Sequence, residues 1–439
     1  MSKQSIDLLI SARWVIPVVP EQKTLENAAI AIDKGKILAI IEDGEPLDIY
    51  SPSEHRVLDQ HIVIPGLVNA HGHTAMSLLR GFADDFPLQT WLEEHIWPAE
   101  GRWVSADFVR DGSQLAMAEM LRSGTTCFSD MYFFPEETAK AAQEAGMRCQ
   151  LNTPILDFPT AWGEHADDYI DKGLALHKTY TDSELVSIGL GPHAPYTVSD
   201  APLQRIAQLS AELNIPVQIH LHETADEVAA ALEQNAIRPS ERLEKLGLFS
   251  ERLQCVHMTQ IDDSDLARLR HSGAHVIHCP ESNLKLASGF CPVKQLQDAG
   301  INVALGTDGA ASNNDLDLLG EMRTASLLAK GVSGDASALN AHQALKMATL
   351  NGAKAMGLDK TIGSLEVGKA ADITAISLDT LEANPLFNPI SYIAYSQCSH
   401  QVSHVWVNGK LLLNNRVLQT LNETSLRNSA QQWAQRIQH

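Results

Sequence analysis

His71-Gly72-His73 directly follows an apolar run, Ile62-Val63-Ile64-Pro65-Gly66-Leu67-Val68. On an extended segment, residues two apart point to the same side. The two imidazoles therefore share one face at a strand end, and Gly72 lets the backbone come close to whatever they hold. Three more chemically capable groups close later apolar runs: His220, His257 and Asp308. His71, His73, His220 and Asp308 make a set of three nitrogens and one oxygen, which suits one divalent transition metal, Zn(II) first and Fe(II) second. Such an ion brings the pKa of a water toward ~7 and makes it a nucleophile at neutral pH. A single strand histidine is ordinarily a core residue bonded to a backbone carbonyl. Four groups at matching strand ends favour a metal.

Glu223 lies three residues after His220, in His220-Leu221-His222-Glu223-Thr224. Its carboxyl group, just past a strand end, can protonate a ring nitrogen and pass protons onward as a general acid and base. It also fits the first turn of a helix over Thr224 to Leu232, where acidic side chains are favoured; both roles can hold together. His257, on the adjacent strand, can ligate a second metal or hydrogen-bond the attacking water. Asp308 can bind the metal and accept that water's proton. The fourth strand ends in Gly191-Pro192-His193, with no lysine to be carbamylated as a bridge, which favours a single metal. His222 alternates to the other face and reads as structural. His278 is a weaker candidate for substrate contact than His193, and His271 and His275 read as surface or packing residues.

These groups need strands to present them, and eight strand-like runs are present: 62–69, 124–131, 147–156, 185–191, 216–221, 253–258, 274–279 and 301–307. Amphipathic stretches such as Ala201 to Leu213 and Asp262 to Ser272 lie between them. This alternation predicts the α/β class and a (β/α)8 TIM-type barrel, whose chemistry collects at the C-terminal ends of the strands, where these residues fall. A doubly wound sheet is the rival, but the chain has no GxGxxG or phosphate-loop turn. Both chain ends are strand-rich, with a hairpin over Ala28–Ile41. They predict a small β-sandwich domain from residues 1–61 plus 363–439, beside a metal-dependent catalytic barrel over 62–362. Residues 423–439 read as a closing helix.

The chain of 439 residues carries 33 Lys and Arg against 54 Asp and Glu, a formal net charge of -21. No basic face is available to replace counterions on a phosphate backbone, which argues against nucleic-acid binding and leaves an uncharged nucleobase admissible. No apolar segment approaches the ~20 residues of a membrane span, and the N-terminus lacks the apolar core of a signal peptide. The six Cys form no CxxC pair and several sit in apolar runs, so they read as small buried hydrophobes in a reducing, cytoplasmic protein.

At this point the chain resembles the amidohydrolase superfamily and, within it, the methylthioadenosine/S-adenosylhomocysteine deaminases. The resemblance covers nearly the whole length. It is carried by Pro65-Gly66-Leu67-Val68-Asn69-Ala70-His71-Gly72-His73, Trp91-Leu92-Glu93-Glu94-His95-Ile96-Trp97-Pro98-Ala99-Glu100, Gly191-Pro192-His193-Ala194-Pro195-Tyr196, His220-Leu221-His222-Glu223-Thr224 and Gly306-Thr307-Asp308-Gly309-Ala310-Ala311-Ser312. It implies hydrolytic attack on carbon-6 of an adenosine-type nucleoside, giving the inosine analogue and ammonia. Glu223 is then expected to protonate the neighbouring ring nitrogen, Asp308 to relay a proton to ammonia, and His257 to orient the nucleophile and stabilise the developing oxyanion. Glu100 is expected to accept hydrogen bonds from the ribose diol, and His193 to contact purine or ribose. Trp91 and Trp97 either wall the pocket or pack the lid. The resemblance also implies a homodimer or tetramer. Relatives that accept the amino-acid tail of S-adenosylhomocysteine are expected to place an Arg after the third strand; from Cys149 to Asp182 this chain has only Lys172 and Lys178. The expectation therefore leans toward methylthioadenosine and adenosine. The competing readings are deamination of a free base (guanine or cytosine), dechlorination of a triazine, and a non-catalytic scaffold on the same fold.

Overall fold

The computed structural model describes residues 3–438. Met1, Ser2 and His439, which the expected domain limits include, lie outside the described residues. The strands among the described residues are β1 (Gln4–Val15), β2 (Leu25–Asp33), β3 (Lys36–Ile41), β4 (Tyr50–Pro65), β5 (Leu67–Asn69), β6 (Thr125–Asp130), β7 (Arg148–Ile155), β8 (Val186–Pro192), β9 (Val217–Leu221), β10 (Leu253–His257), β11 (His275–His278), β12 (Val303–Leu305), β13 (Ile373–Ser377), β14 (Val402–Val407), β15 (Lys410–Asn414) and β16 (Val417–Leu418).

Strands β5 to β12 form one parallel sheet in chain order. All the pairings within it are parallel, and β6, β7, β9 and β10 are buried along their whole length. Burial on both faces is why these segments read in sequence as continuous apolar runs and not as alternation. The sheet closes where Ala70 N–H donates to Leu305 O at 2.9 Å, joining the loop after β5 to β12. Helices such as Ala106–Ser123, Ala166–Tyr180, Asp200–Leu213 and Asp263–Ser272 cover the outside. This is the (β/α)8 barrel expected from the sequence.

The remaining strands form a mixed sheet in the order β16-β15-β14-β13-β4-β1-β2-β3, built from both chain ends. The run 62–69 divides between the two sheets. Residues 62–65 end β4, paired with β13, whereas Leu67–Asn69 begin the barrel. Gly66 sits at the junction; a Cβ there would come 2.1 Å from Thr126 Oγ1. The closing helix, Glu423–Gln438, packs Trp433 against Phe108 and donates its indole N–H to Asp111 at 2.8 Å. Among the described residues no helix is long and apolar enough to cross a membrane, and all six cysteines are buried and free.

Candidate active site

The loop after β5 carries His71 and His73, β9 carries His220, and Asp308 follows β12. A Cβ at Gly306 would come 2.8 Å from His71 Cβ and 2.9 Å from His71 N and O. Glycine thus lets the two ends of the barrel meet, and Asp308 N–H donates to His71 O at 3.1 Å. Asp308 and His257 hold positive φ, 60° and 75°. A side chain in that left-handed region costs roughly 1–3 kcal/mol and persists where the surroundings over-determine it. Here it turns each functional group off its strand and into the barrel mouth.

His71, His73, His220 and Asp308 come together as a metal site, with one donor atom of each within 4.8 Å of the others. The hydrogen bonds behind the rings set their tautomers. His71 Nδ1–H donates to Gln218 Oε1, His73 Nδ1–H to Met131 O and His220 Nδ1–H to His193 O, each at 2.7 Å. All three therefore turn Nε2 toward one point. Asp308 Oδ2 accepts from Ser282 and Ser312 hydroxyls at 2.7 and 2.8 Å, leaving Oδ1 facing the rings, 3.3 Å from His71 Nε2 and 3.1 Å from His73 Nε2. His220 Nε2 lies 3.2 Å from His71 Nε2. Lone pairs that close repel unless a cation lies between them, and these separations match the ~3.3 Å edge of a tetrahedron of ligands ~2.0–2.1 Å from zinc. Burial holds His71 and His220 below the usual histidine value, in the neutral ligand form. Burial also opposes charge on His73, yet the Asp308 carboxylate wins and raises it to about 9. The pocket between these donors attracts positive charge, so the residues present fit a divalent metal.

His73, His220 and Asp308 line a cavity of about 320 Å³, in the size range of small-molecule sites. Its apolar walls include Trp91, Trp97, Phe133, Leu156, Phe158 and Tyr196, and among the described residues no Lys or Arg lines it. Glu223 and His257 stand beside the metal donors, with Glu223 Oε2 3.8 Å from His257 Nε2. Burial, helped by the Asp308 charge, pushes the Glu223 carboxyl up to about 8. The helix-terminal role weighed for Glu223 falls to other side chains. Thr224 caps the helix Ala225–Asn235, and the Glu227 carboxylate accepts from the His222 and Glu223 backbone N–H groups at 3.0 and 2.7 Å. His257 Nδ1–H donates to Asn283 Oδ1 at 2.9 Å. His257 stands outside the four-donor set.

Glu100 reaches the cavity from the helix Trp97–Trp103 and accepts from Tyr132 O–H at 2.7 Å. Burial raises its carboxyl. His193 also lines the cavity, its Nδ1 3.1 Å from Thr197 Oγ1, and burial lowers it to about 4, so it is a neutral hydrogen-bonding group. Both Trp91 and Trp97 are wall residues. His278 is buried away from the cavity lining with both ring nitrogens unpartnered. His222 is buried, its Nε2 accepting from Ser240 N–H at 3.2 Å. Tyr132, Gln218 and Asn283 were not singled out from the sequence. Their partners are 32, 147 and 26 residues away, and no local spacing marks them.

Residues 62–412 match the model of the amidohydrolase family. The chain is 55% identical over 437 residues to a 5-methylthioadenosine/S-adenosylhomocysteine deaminase of Saccharophagus degradans, covering 100% of this chain and 98% of that one. It superposes on the crystal structure of an adenosine deaminase from Xanthomonas campestris with bound zinc, at a TM-score of 0.98 and 46% identity over 99% of both chains. An atrazine chlorohydrolase from Arthrobacter aurescens, complexed with zinc, gives a TM-score of 0.91 at 25% identity, over 97% of this chain and 100% of that one.

Proposed function

We propose, for a chain that belongs to the amidohydrolase family and within it to the 5-methylthioadenosine/S-adenosylhomocysteine deaminases, that it hydrolyses the 6-amino group of an adenosine-type nucleoside. Water is consumed, and the inosine analogue and ammonia are released. The observation that carries this reading is one cavity lined together by three of the four metal donors (His73, His220 and Asp308), by Glu223 and His257, and by Glu100. Zinc is the metal proposed for His71, His73, His220 and Asp308; when bound, it makes a water acidic enough to serve as nucleophile near neutral pH.

The chain's own residues supply the rest. Glu223, whose burial favours the protonated form, donates its proton to the ring nitrogen beside the reacting carbon and so makes that carbon electrophilic. Asp308 accepts one proton of the attacking water and passes it to the departing amine, and the second proton of that water returns to Glu223 as the carbonyl forms. His257 hydrogen-bonds the attacking oxygen and steadies its developing charge. Glu100, held by Tyr132, offers the two oxygens that match a vicinal diol. His193 contacts the purine or ribose. A lining without Lys or Arg supports methylthioadenosine and adenosine over S-adenosylhomocysteine, whose carboxylate tail would be desolvated with no cation to meet it. The free buried cysteines suit a cytoplasmic setting, and the family resemblance supports a homodimer or tetramer.

The test is ammonia release by the zinc-loaded protein from adenosine, methylthioadenosine, S-adenosylhomocysteine, guanine and cytosine. Adenosine and methylthioadenosine are expected to turn over fastest, and Glu100→Ala to slow nucleosides far more than free bases. Turnover of free bases alone would overturn the nucleoside reading. Equal kcat/KM on the three nucleosides would overturn the preference among them.

A further inference from the structure

The interior of a (β/α)8 barrel is ordinarily filled by branched apolar side chains. Here three glutamines reach into it, Gln218 on β9 and Gln254 on the adjacent β10, and Gln150 on β7 beyond β8, each 1% exposed or less. Gln218 and Gln254 are direct cross-strand partners. A buried amide with unpaired groups costs several kcal/mol, so the question is what these three amides are bonded to. Gln150 Nε2–H donates to Met356 O at 3.0 Å. Gln254 Nε2–H donates to Gln150 Oε1 at 2.8 Å and to Ala355 O at 2.9 Å. Gln218 Nε2–H donates to Gln254 Oε1 at 2.6 Å and to Ala70 O at 3.0 Å, with Ser129 Oγ at 3.2 Å. Gln218 Oε1 is left to accept from His71 Nδ1–H.

The three amides thus form one polarised chain. It starts on the fixed carbonyls of residues 355 and 356 and ends on a metal donor. His73 and His220 need no such device, because each donates directly to a backbone carbonyl that cannot rotate. His71 alone among the three rings leans on a side chain with two orientations. Were the Gln218 amide reversed, its oxygen would face Ala70 O and Gln254 Oε1, and its NH2 would demand a lone pair on His71 Nδ1. The ring proton would then move to Nε2 and block the position that faces the metal.

We infer that Gln150, Gln254 and Gln218 are positioning residues that lock His71 in its metal-binding tautomer from the far end of the barrel. This rests on the metal-dependent reading above, and it concerns ion affinity as well as turnover. The experiment measures zinc affinity by chelator competition, and the thermal midpoint of the metal-free protein, for the wild type, Q218M, Q254M and Q218E. Methionine keeps the volume of glutamine and removes its hydrogen bonds. Glutamate at 218, held protonated by burial, keeps an oxygen opposite His71 and an O–H to donate to Gln254 Oε1. Both methionine variants are expected to bind zinc roughly 10–100-fold more weakly, as loss of a partner behind a ligating histidine does. Q254M is expected to do so although it touches no metal donor. Q218E is expected to recover most of the loss. The inference falls if Q254M keeps wild-type zinc affinity, whatever its thermal midpoint, or if Q218E binds as weakly as Q218M. Should the methionine variants fail to fold, Q218E alone decides, since a hundredfold loss in that variant contradicts the inference. A wild type that binds no zinc would instead overturn the metal-dependent reading itself.

Discussion

Glu223 is a carboxyl group whose surroundings favour its neutral form: it is buried, and the charge of Asp308 adds to the cost of ionising it. A general acid acts only while it holds its proton. Activity is therefore expected to fall as pH rises through the Glu223 pKa, tenfold per unit beyond it. A bound dication favours the carboxylate, so this alkaline limb lies at or below pH 8. Glu223→Gln keeps the shape but has no acidic proton. It is expected to lower kcat by roughly 10²–10⁴-fold and to remove the limb from the kcat–pH profile; a variant that retains both activity and limb would remove Glu223 from the mechanism. At this scale the sequence was informative where chemistry and element position coincide. His71, His73, His220 and Asp308 were legible because each closes an apolar run, and the structure gathers them within 4.8 Å. Tyr132 behind Glu100 and Gln218 behind His71 were not. Each is a common residue type inside or just after an ordinary strand, and its meaning depends on what lies across the barrel.

Strand ends, more than strands, position this site. The eight barrel strands were legible because parallel strands buried on both faces leave unbroken apolar runs. The split of 62–69 was not, because Ile62 to Pro65 in one sheet and Leu67 to Asn69 in the other are equally buried. Periodicity cannot mark where a single apolar run changes partners. The bond between Ala70 N–H and Leu305 O closes the barrel, and Gly306 makes that contact sterically feasible. Gly306→Ala would drive a methyl group into the His71 backbone, which the barrel holds on both sides. The expected outcome is a loss of stability of about 1–3 kcal/mol from overpacking, together with weaker zinc binding, because His71 must move to make room. Calorimetry of the metal-free protein and chelator competition on the same sample check both halves. Destabilisation with unchanged metal affinity would show that His71 stays fixed and that β12 yields instead.

The whole molecule depends on the barrel and the terminal sheet staying in register, and one buried ion pair ties them. Arg148 begins β7, and Asp372 immediately precedes β13. Their side chains are 4% and 2% exposed and meet at 3.0 Å. Asp372 also accepts from Asn408 N–H at 2.8 Å, and its carbonyl accepts from Gly66 N–H at 2.9 Å, at the point where the chain passes from one sheet to the other. Arg148 adds a bond to Glu184 O. Its place in this pair also explains why the basic residue just ahead of the arginine-free stretch 149–182 takes no part in the substrate cavity. Desolvating both charges costs about as much as their attraction returns, but removing one leaves the other buried alone. Asp372→Ala is therefore expected to destabilise by about 3–5 kcal/mol. The double variant Arg148→Met with Asp372→Leu, which removes both charges and fills the space, is expected to cost much less. Thermal midpoints of the two proteins and the wild type decide the matter. A single variant no less stable than the double would mean that water or a neighbouring group, and not Asp372, balances Arg148, and that this pair is not what ties the two sheets.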